Sequence, residues 1–117
     1  MTMVSLTERL AARGNDTAGA LARFLGDEAL YGDCFRMFLD DPCFLQLEDA
    51  LARRDAPTAF DAAHTLKGVA GNLGLTALYG ALSALTEPLR RGQTEDLVSL
   101  RQAVQAERES LVRLLNG

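Results

Sequence analysis

From residue 4 onward, apolar positions recur at helical spacing, and glycine, proline and short polar runs cut the pattern into segments. A short amphipathic piece near residues 4–13 ends at "GNDT", and a second, "AGALARFL", stops at Gly26. Asp27 can cap a long segment carrying Leu30, Cys34, Phe38, Leu45, Leu47 and Leu51 as its apolar face. That segment is interrupted at "DDP", where Pro42 would clash with the carbonyl of Phe38, so a kink or break is predicted there. Asp55, with Pro57 in the following first turn, begins a helix that runs to Asn72–Gly74, where asparagine and glycine supply a left-handed stop. Thr76 is placed as the cap of a helix whose Leu78, Leu82, Leu85 and Leu89 form one stripe, and Gly92 ends it. Thr94 is placed as the cap of the last helix, with Glu95 and Asp96 in its first turn and Leu97, Leu100, Val104, Leu111 and Leu114 facing inward.

No stretch alternates apolar with polar for long, valine and isoleucine are scarce, and aromatics are 6% of the chain, so a sheet has little to build from. The fold class is all-α. Four substantial helices with short connections predict an antiparallel four-helix bundle over residues 27–117, with residues 1–26 as peripheral N-terminal helices of the same single domain, 1–117. A chain of 117 residues is long enough to bury one core without disulfides or metal.

Composition narrows the function classes. Hydrophobic residues make up 48% and charged residues 24%, and no apolar run approaches the roughly 20 residues of a membrane span. The opening "MTMVSLTERLAARGND" has no apolar h-region with a cleavage site, so a cytoplasmic location is expected. Cys34 and Cys43 stand nine apart with no C-x-x-C and a single histidine to assist them, which predicts reduced core thiols and no metal site. A net charge of -4 without a Lys/Arg cluster argues against nucleic acid, since phosphate neutralisation needs a basic face, and points to a protein partner.

The stretch "AHTLKGVAGNLG", residues 63–74, holds the only histidine and three glycines spaced three apart, all within a predicted helix. At about 100° per residue, Ala59, Ala62, Ala63, Leu66, Val69, Ala70 and Leu73 fall within an arc of roughly 120° that must face the core. His64 lies about 150° from the centre of that arc, with Phe60, Lys67, Gly68 and Gly71 as its neighbours on the outer face. Glycine in an exposed helix interior costs about 1 kcal/mol relative to alanine, so Gly68 and Gly71 forgo roughly 2 kcal/mol, and something is expected to approach closely there. An exposed imidazole, a lysine at i+3 and glycines at i+4 and i+7 place a nucleophile, a cation and cleared space on one face. A phosphoryl group on an imidazole nitrogen would carry close to two negative charges, which an ammonium one turn away could stabilise. Phe60 beside the histidine suits a docking surface. The glycines do not form a phosphate-cradling loop, because no strand precedes them and neither the dinucleotide nor the P-loop spacing is present.

"HTLKGVAGNLG" resembles the His-x-x-Lys-Gly signature, with a further glycine ten residues after the histidine, of histidine-containing phosphotransfer (HPt) domains in multistep phosphorelays. The flanking stretches "LYGDCFRMFLDDPCFLQLEDALARRDAPTAFDAAHTLKG" and "LTALYGALSALTEPLRRG" are similar to the family's neighbouring helices, so the resemblance spans about residues 20–92. It implies that His64 accepts a phosphoryl group from a phospho-aspartate on a response-regulator receiver domain and passes it to another receiver. Lys67 would be the electrostatic helper and Gly68 the clearance for the receiver, with Gly71 and Phe60 on the same docking face. The implied partners are receiver domains and a hybrid sensor histidine kinase. The chain needs no cofactor of its own, Mg²⁺ being expected on the receiver only, and is a phosphocarrier without autonomous catalysis, expected to be a monomer. The initiating methionine and terminal "LLNG" favour a free-standing carrier. In one departure, the family often has Leu-Glu where this chain has Leu85-Thr86, with Glu87 and Pro88 following, and a differently bent helix end is expected. Two alternatives remain open: a non-phosphorylated adaptor that uses the same face only for docking, and an autonomous enzyme or metal protein, for which one histidine and two distant cysteines are too few ligands.

Overall fold

The starts of four helices follow a residue whose side chain caps them. In the computed structural model, which describes residues 4–116, the chain forms α1 (Leu6–Ala12), α2 (Thr17–Arg23), α3 (Glu28–Leu39), α4 (Cys43–Ala52), α5 (Ala56–Asn72), α6 (Thr76–Arg90) and α7 (Val98–Asn116), with no strand among the described residues. The side chains of Ser5, Asp16, Asp27 and Asp55 each accept a hydrogen bond from the amide three residues on, satisfying donors that a helix start leaves unpaired. At Asp55 the Thr58 hydroxyl (2.7 Å) and amide (3.2 Å) both donate, and together with nearby Arg53 they hold the carboxyl below the usual carboxylate range.

Two predicted caps are displaced. Thr76 is the first residue of α6, not its cap; Leu75 holds the cap position with its side chain fully buried, and the Thr76 amide is satisfied by Asn15 Oδ1 at 3.1 Å, reaching in from before α2. Thr94 does not cap α7 either. Asp96 adopts a left-handed conformation (φ 60°), and the helix begins only after Leu97 has entered the core. Burying a leucine at the entry outweighs a side-chain cap in both places, because the apolar transfer is worth about 1.5–3 kcal/mol against about 1 for the cap.

The break at "DDP" occurs where predicted. α3 stops at Leu39, Pro42 takes the cap position of α4, and the Asp41 carboxylate accepts the Cys43 amide at 2.8 Å. Arg108 of α7 braces the break, donating from Nε to the Leu39 carbonyl (3.0 Å) with its guanidinium 4.9 Å from the Phe44 ring centroid. The predicted inner face of this segment needs correction. Leu30 and Leu45 are 48% and 77% exposed, whereas Tyr31 and Phe35 are fully buried. Two adjacent stripes at helical spacing compete on α3, and the aromatic one, with more area to bury, faces the core. The interruption then resets the phase, so Phe44, Leu47 and Ala50 point inward on α4.

α3 and α4, end to end, form the first arm of the bundle; α5 packs against α4 and α6, and α6 against α7. α7 returns beside α4, where Arg101 and Glu48 pair at 2.7 Å. The result is an antiparallel four-helix bundle, with the predicted Leu78, Leu82, Leu85 and Leu89 stripe buried as a whole. α6 runs through a buried Pro88 to Arg90 without a break. The N-terminal helices are more than an appendage, since Leu10 and Ala20 are fully buried in the common core. They close the end where α5 turns into α6: the Asp16 amide donates to the Gly74 carbonyl (2.8 Å), and Arg9 donates to the Leu114 carbonyl (2.7 Å). Among the described residues no helix is long and apolar enough to cross a membrane.

Candidate functional site

α5 is built with one face of small residues. Ala59, Ala63 and Ala70 have no exposed surface and Leu66 fills the space between them, so the neighbouring helices approach closely and lock the rotation of α5. That rotation decides where its seventeen residues point. His64, the central residue of α5, faces solvent, as predicted from the helical arc.

The imidazole lies parallel to the Phe60 ring one turn earlier, with centroids 5.6 Å apart and planes 12° from parallel. Phe60 is half-buried against the core edge instead of standing free, and the Arg90 guanidinium of α6 lies 5.2 Å from its centroid. Arg90 is also 3.6 Å from the Glu87 carboxylate. On the other side of His64, the Lys67 ammonium sits 5.5 Å from the centroid of the Tyr79 ring. No carboxylate among the described residues forms an ion pair with it, so its charge is not neutralised within the chain.

The glycines of this face differ in their surroundings. A Cβ on Gly68 would meet nothing within 4 Å, so the surface one turn after His64 is open. A Cβ on Gly71 would lie 3.3 Å from the Tyr79 ring, so the missing side chain there seats an aromatic group of this same chain.

The far end of α5 is held firmly. Tyr31 donates its hydroxyl to the Leu73 carbonyl at 2.5 Å, and burial pushes its phenol up to about 12, so it stays protonated and donating. Arg23 donates to the Gly71 and Asn72 carbonyls at 3.0 and 2.9 Å, satisfying acceptors that the helix end leaves open. Gly74 follows in the left-handed region (φ 69°), as the sequence predicts for this stop.

The predicted residues Phe60, His64, Lys67, Gly68 and Gly71 thus share one face of α5. The structure adds Tyr79 and Arg90, which the reading of α6 passed over because it followed only the leucine stripe. A signal for them existed. α5 and α6 run antiparallel about a tight turn, so residues whose numbers have the same sum become neighbours, as Phe60 and Arg90 or Gly71 and Tyr79 do.

His64 does not lie in a cleft. Shallow grooves flank it, one of about 290 Å³ at Phe60 and Arg90 and one of about 330 Å³ at Gly71 and Tyr79. A larger groove of about 580 Å³, lined by the Glu48–Arg101 and Arg54–Glu95 ion pairs, lies between the end of α4 and the start of α7, around Leu97. No three His, Cys, Asp or Glu side chains among the described residues cluster so as to hold a metal ion. The arrangement offers an accessible ring nitrogen with an unpaired cation one turn away, on a surface that a concave partner can cover.

Comparison with protein families gives a match to the Hpt domain over residues 35–114, well over half of the chain. Searches among curated proteins and among solved structures returned no significant match.

Proposed function

The chain belongs to the Hpt domain family, which serves histidine phosphotransfer in phosphorelays, and on that premise we propose that His64 is its phosphoacceptor, loaded by one receiver domain and emptied by another. The observation that carries this reading is the exposed His64 at the middle of α5, with the unpaired Lys67 beside it and open surface over Gly68. A neutral imidazole has a ring-nitrogen lone pair available without a general base. That lone pair forms the N–P bond while the P–O bond to the receiver aspartate breaks, its electrons leaving on the carboxylate; the proton on the other ring nitrogen stays in place. Lys67 lowers the cost of the charge on the transferring phosphoryl, and Phe60, by stacking on the ring, limits the orientations His64 can take. The Mg²⁺ belongs to the receiver's own acidic pocket. The chain is a carrier without turnover of its own. It acts with the α5–α6 face clear of a second copy, which would block the receiver.

The test is phosphorylation by a labelled receiver. The expected product is a single acid-labile, alkali-stable phosphate that His64→Gln abolishes. Label persisting in a folded His64→Gln protein overturns the assignment, and tight receiver binding without any label favours the docking adaptor instead.

A further inference from the structure

We propose that Tyr79 is a positioning residue for Lys67: its ring holds the ammonium beside His64 without neutralising it. This rests on the reading of His64 as phosphoacceptor. A lysine carries its charge on a flexible four-carbon stem, and fixing that stem costs rotamer entropy. A carboxylate partner could fix it, but would cancel the charge and repel an incoming phosphoryl group. An aromatic face attracts the cation through its quadrupole and carries no net charge. Lys67 has the second kind of partner, with Nζ 5.5 Å from the Tyr79 centroid.

The placement of Tyr79 supports a role outside the core. Leu78 and Leu82 fill the interior next to it, whereas Tyr79 is 42% exposed. Its ring lies over α5 where Gly71 lacks a side chain, and a Cβ there would press on the ring at 3.3 Å. Gly71 therefore seats Tyr79, and Tyr79 seats Lys67. The phenol hydroxyl has no hydrogen-bond partner among the described residues, so the ring alone performs this task.

The test compares Tyr79→Leu, Tyr79→Phe, Lys67→Ala and the double variant Tyr79→Leu/Lys67→Ala, each verified as folded by circular dichroism. Proton NMR should show the Lys67 side-chain methylenes shifted upfield by the ring in the parent and in Tyr79→Phe, and unshifted in Tyr79→Leu. Single-turnover transfer from a phosphorylated receiver should slow by about two- to five-fold in Tyr79→Leu, the range a partly exposed cation–π contact supports, and recover in Tyr79→Phe. Lys67→Ala should slow transfer at least as much, and adding Tyr79→Leu to it should change nothing further. A Tyr79→Leu effect of equal size with and without Lys67 would mean that the ring contacts the receiver directly and would overturn the inference. So would parental transfer in Tyr79→Leu, or an unshifted Lys67 in the parent. Labelling of His64 in the parent tests the phosphoacceptor reading separately, so its failure is told apart from that of the Tyr79 assignment.

Discussion

The α5–α6 hairpin contains two contrasting regions. At its turn, side chains and backbone from the α1–α2 connection through α3 converge on a few residues: Tyr31 on the Leu73 carbonyl, Arg23 on Gly71 and Asn72, the Asp16 amide on Gly74, and Asn15 on the Thr76 amide. Half a helix away, the side chains of His64 and Lys67 are engaged by the rings of Phe60 and Tyr79, and Gly68 is bare. The turn uses its polar groups to fix the hairpin's geometry, whereas the side chains of His64 and Lys67 have no hydrogen bond or ion pair among the described residues that a docking protein would have to displace. Rigidity and reactivity are thus separated along one element, and substitutions in the two regions should have opposite signatures.

The largest expected effect on stability is at the turn. Gly74→Ala places a side chain on a left-handed residue, where its Cβ would overlap the Asp16 carbonyl oxygen. A loss of about 3 kcal/mol or more is expected in chemical denaturation. If the loss were instead below about 1 kcal/mol, the N-terminal segment would not be locked to the hairpin as described.

Tyr31→Phe should cost roughly 1–3 kcal/mol, because the Leu73 carbonyl loses its buried partner. The same residue predicts a pH dependence. The phenol is raised to about 12 in the folded protein from an ordinary value near 10, so the native state holds its proton where the unfolded chain has lost it. This stabilising contribution is fully present below about pH 10 and falls away as pH rises toward 12. Melting temperature followed from pH 8 upward should therefore decline more steeply in the parent than in Tyr31→Phe.

At the middle of the hairpin the sign reverses. Gly68→Gln removes the helix penalty of glycine and meets no neighbour, so the isolated domain should gain about 0.5 kcal/mol or more. Affinity for the receiver, measured by calorimetry, should fall, since the new side chain occupies the approach. A stabilised variant that binds like the parent would show that the open surface serves no partner. The smallest change in stability is expected for His64→Gln, within about 0.5 kcal/mol on either side, even though this variant should lose all phosphoryl label. A larger loss of stability would mean that the stack on Phe60 supports the bundle and does more than orient the imidazole.

Much of this was legible along the chain because the relevant physics is local. A 3.6-residue period, Asp27 and Asp55 ahead of apolar runs, Pro42 inside one and Gly74 after another were enough to place α3, α4 and α5 near their observed limits. The alanine stripe of α5 likewise put His64, Lys67 and Gly68 on the outer face, since a helix's own geometry relates its positions. Tertiary structure decided what local rules leave equal or cannot reach. Leu30 and Tyr31 both belong to acceptable stripes, and only packing against the finished core buries one and exposes the other. The amide of Thr76 is satisfied by Asn15, 61 residues earlier, and Leu75 and Leu97 enter their helices without the caps expected of Thr76 and Thr94. The cations of the candidate site are likewise held across the hairpin, Lys67 by Tyr79 and Arg90 by Phe60. Such pairings exist only once two helices lie side by side, because spacing within one helix sets which way a residue points and the neighbouring helix sets what it meets.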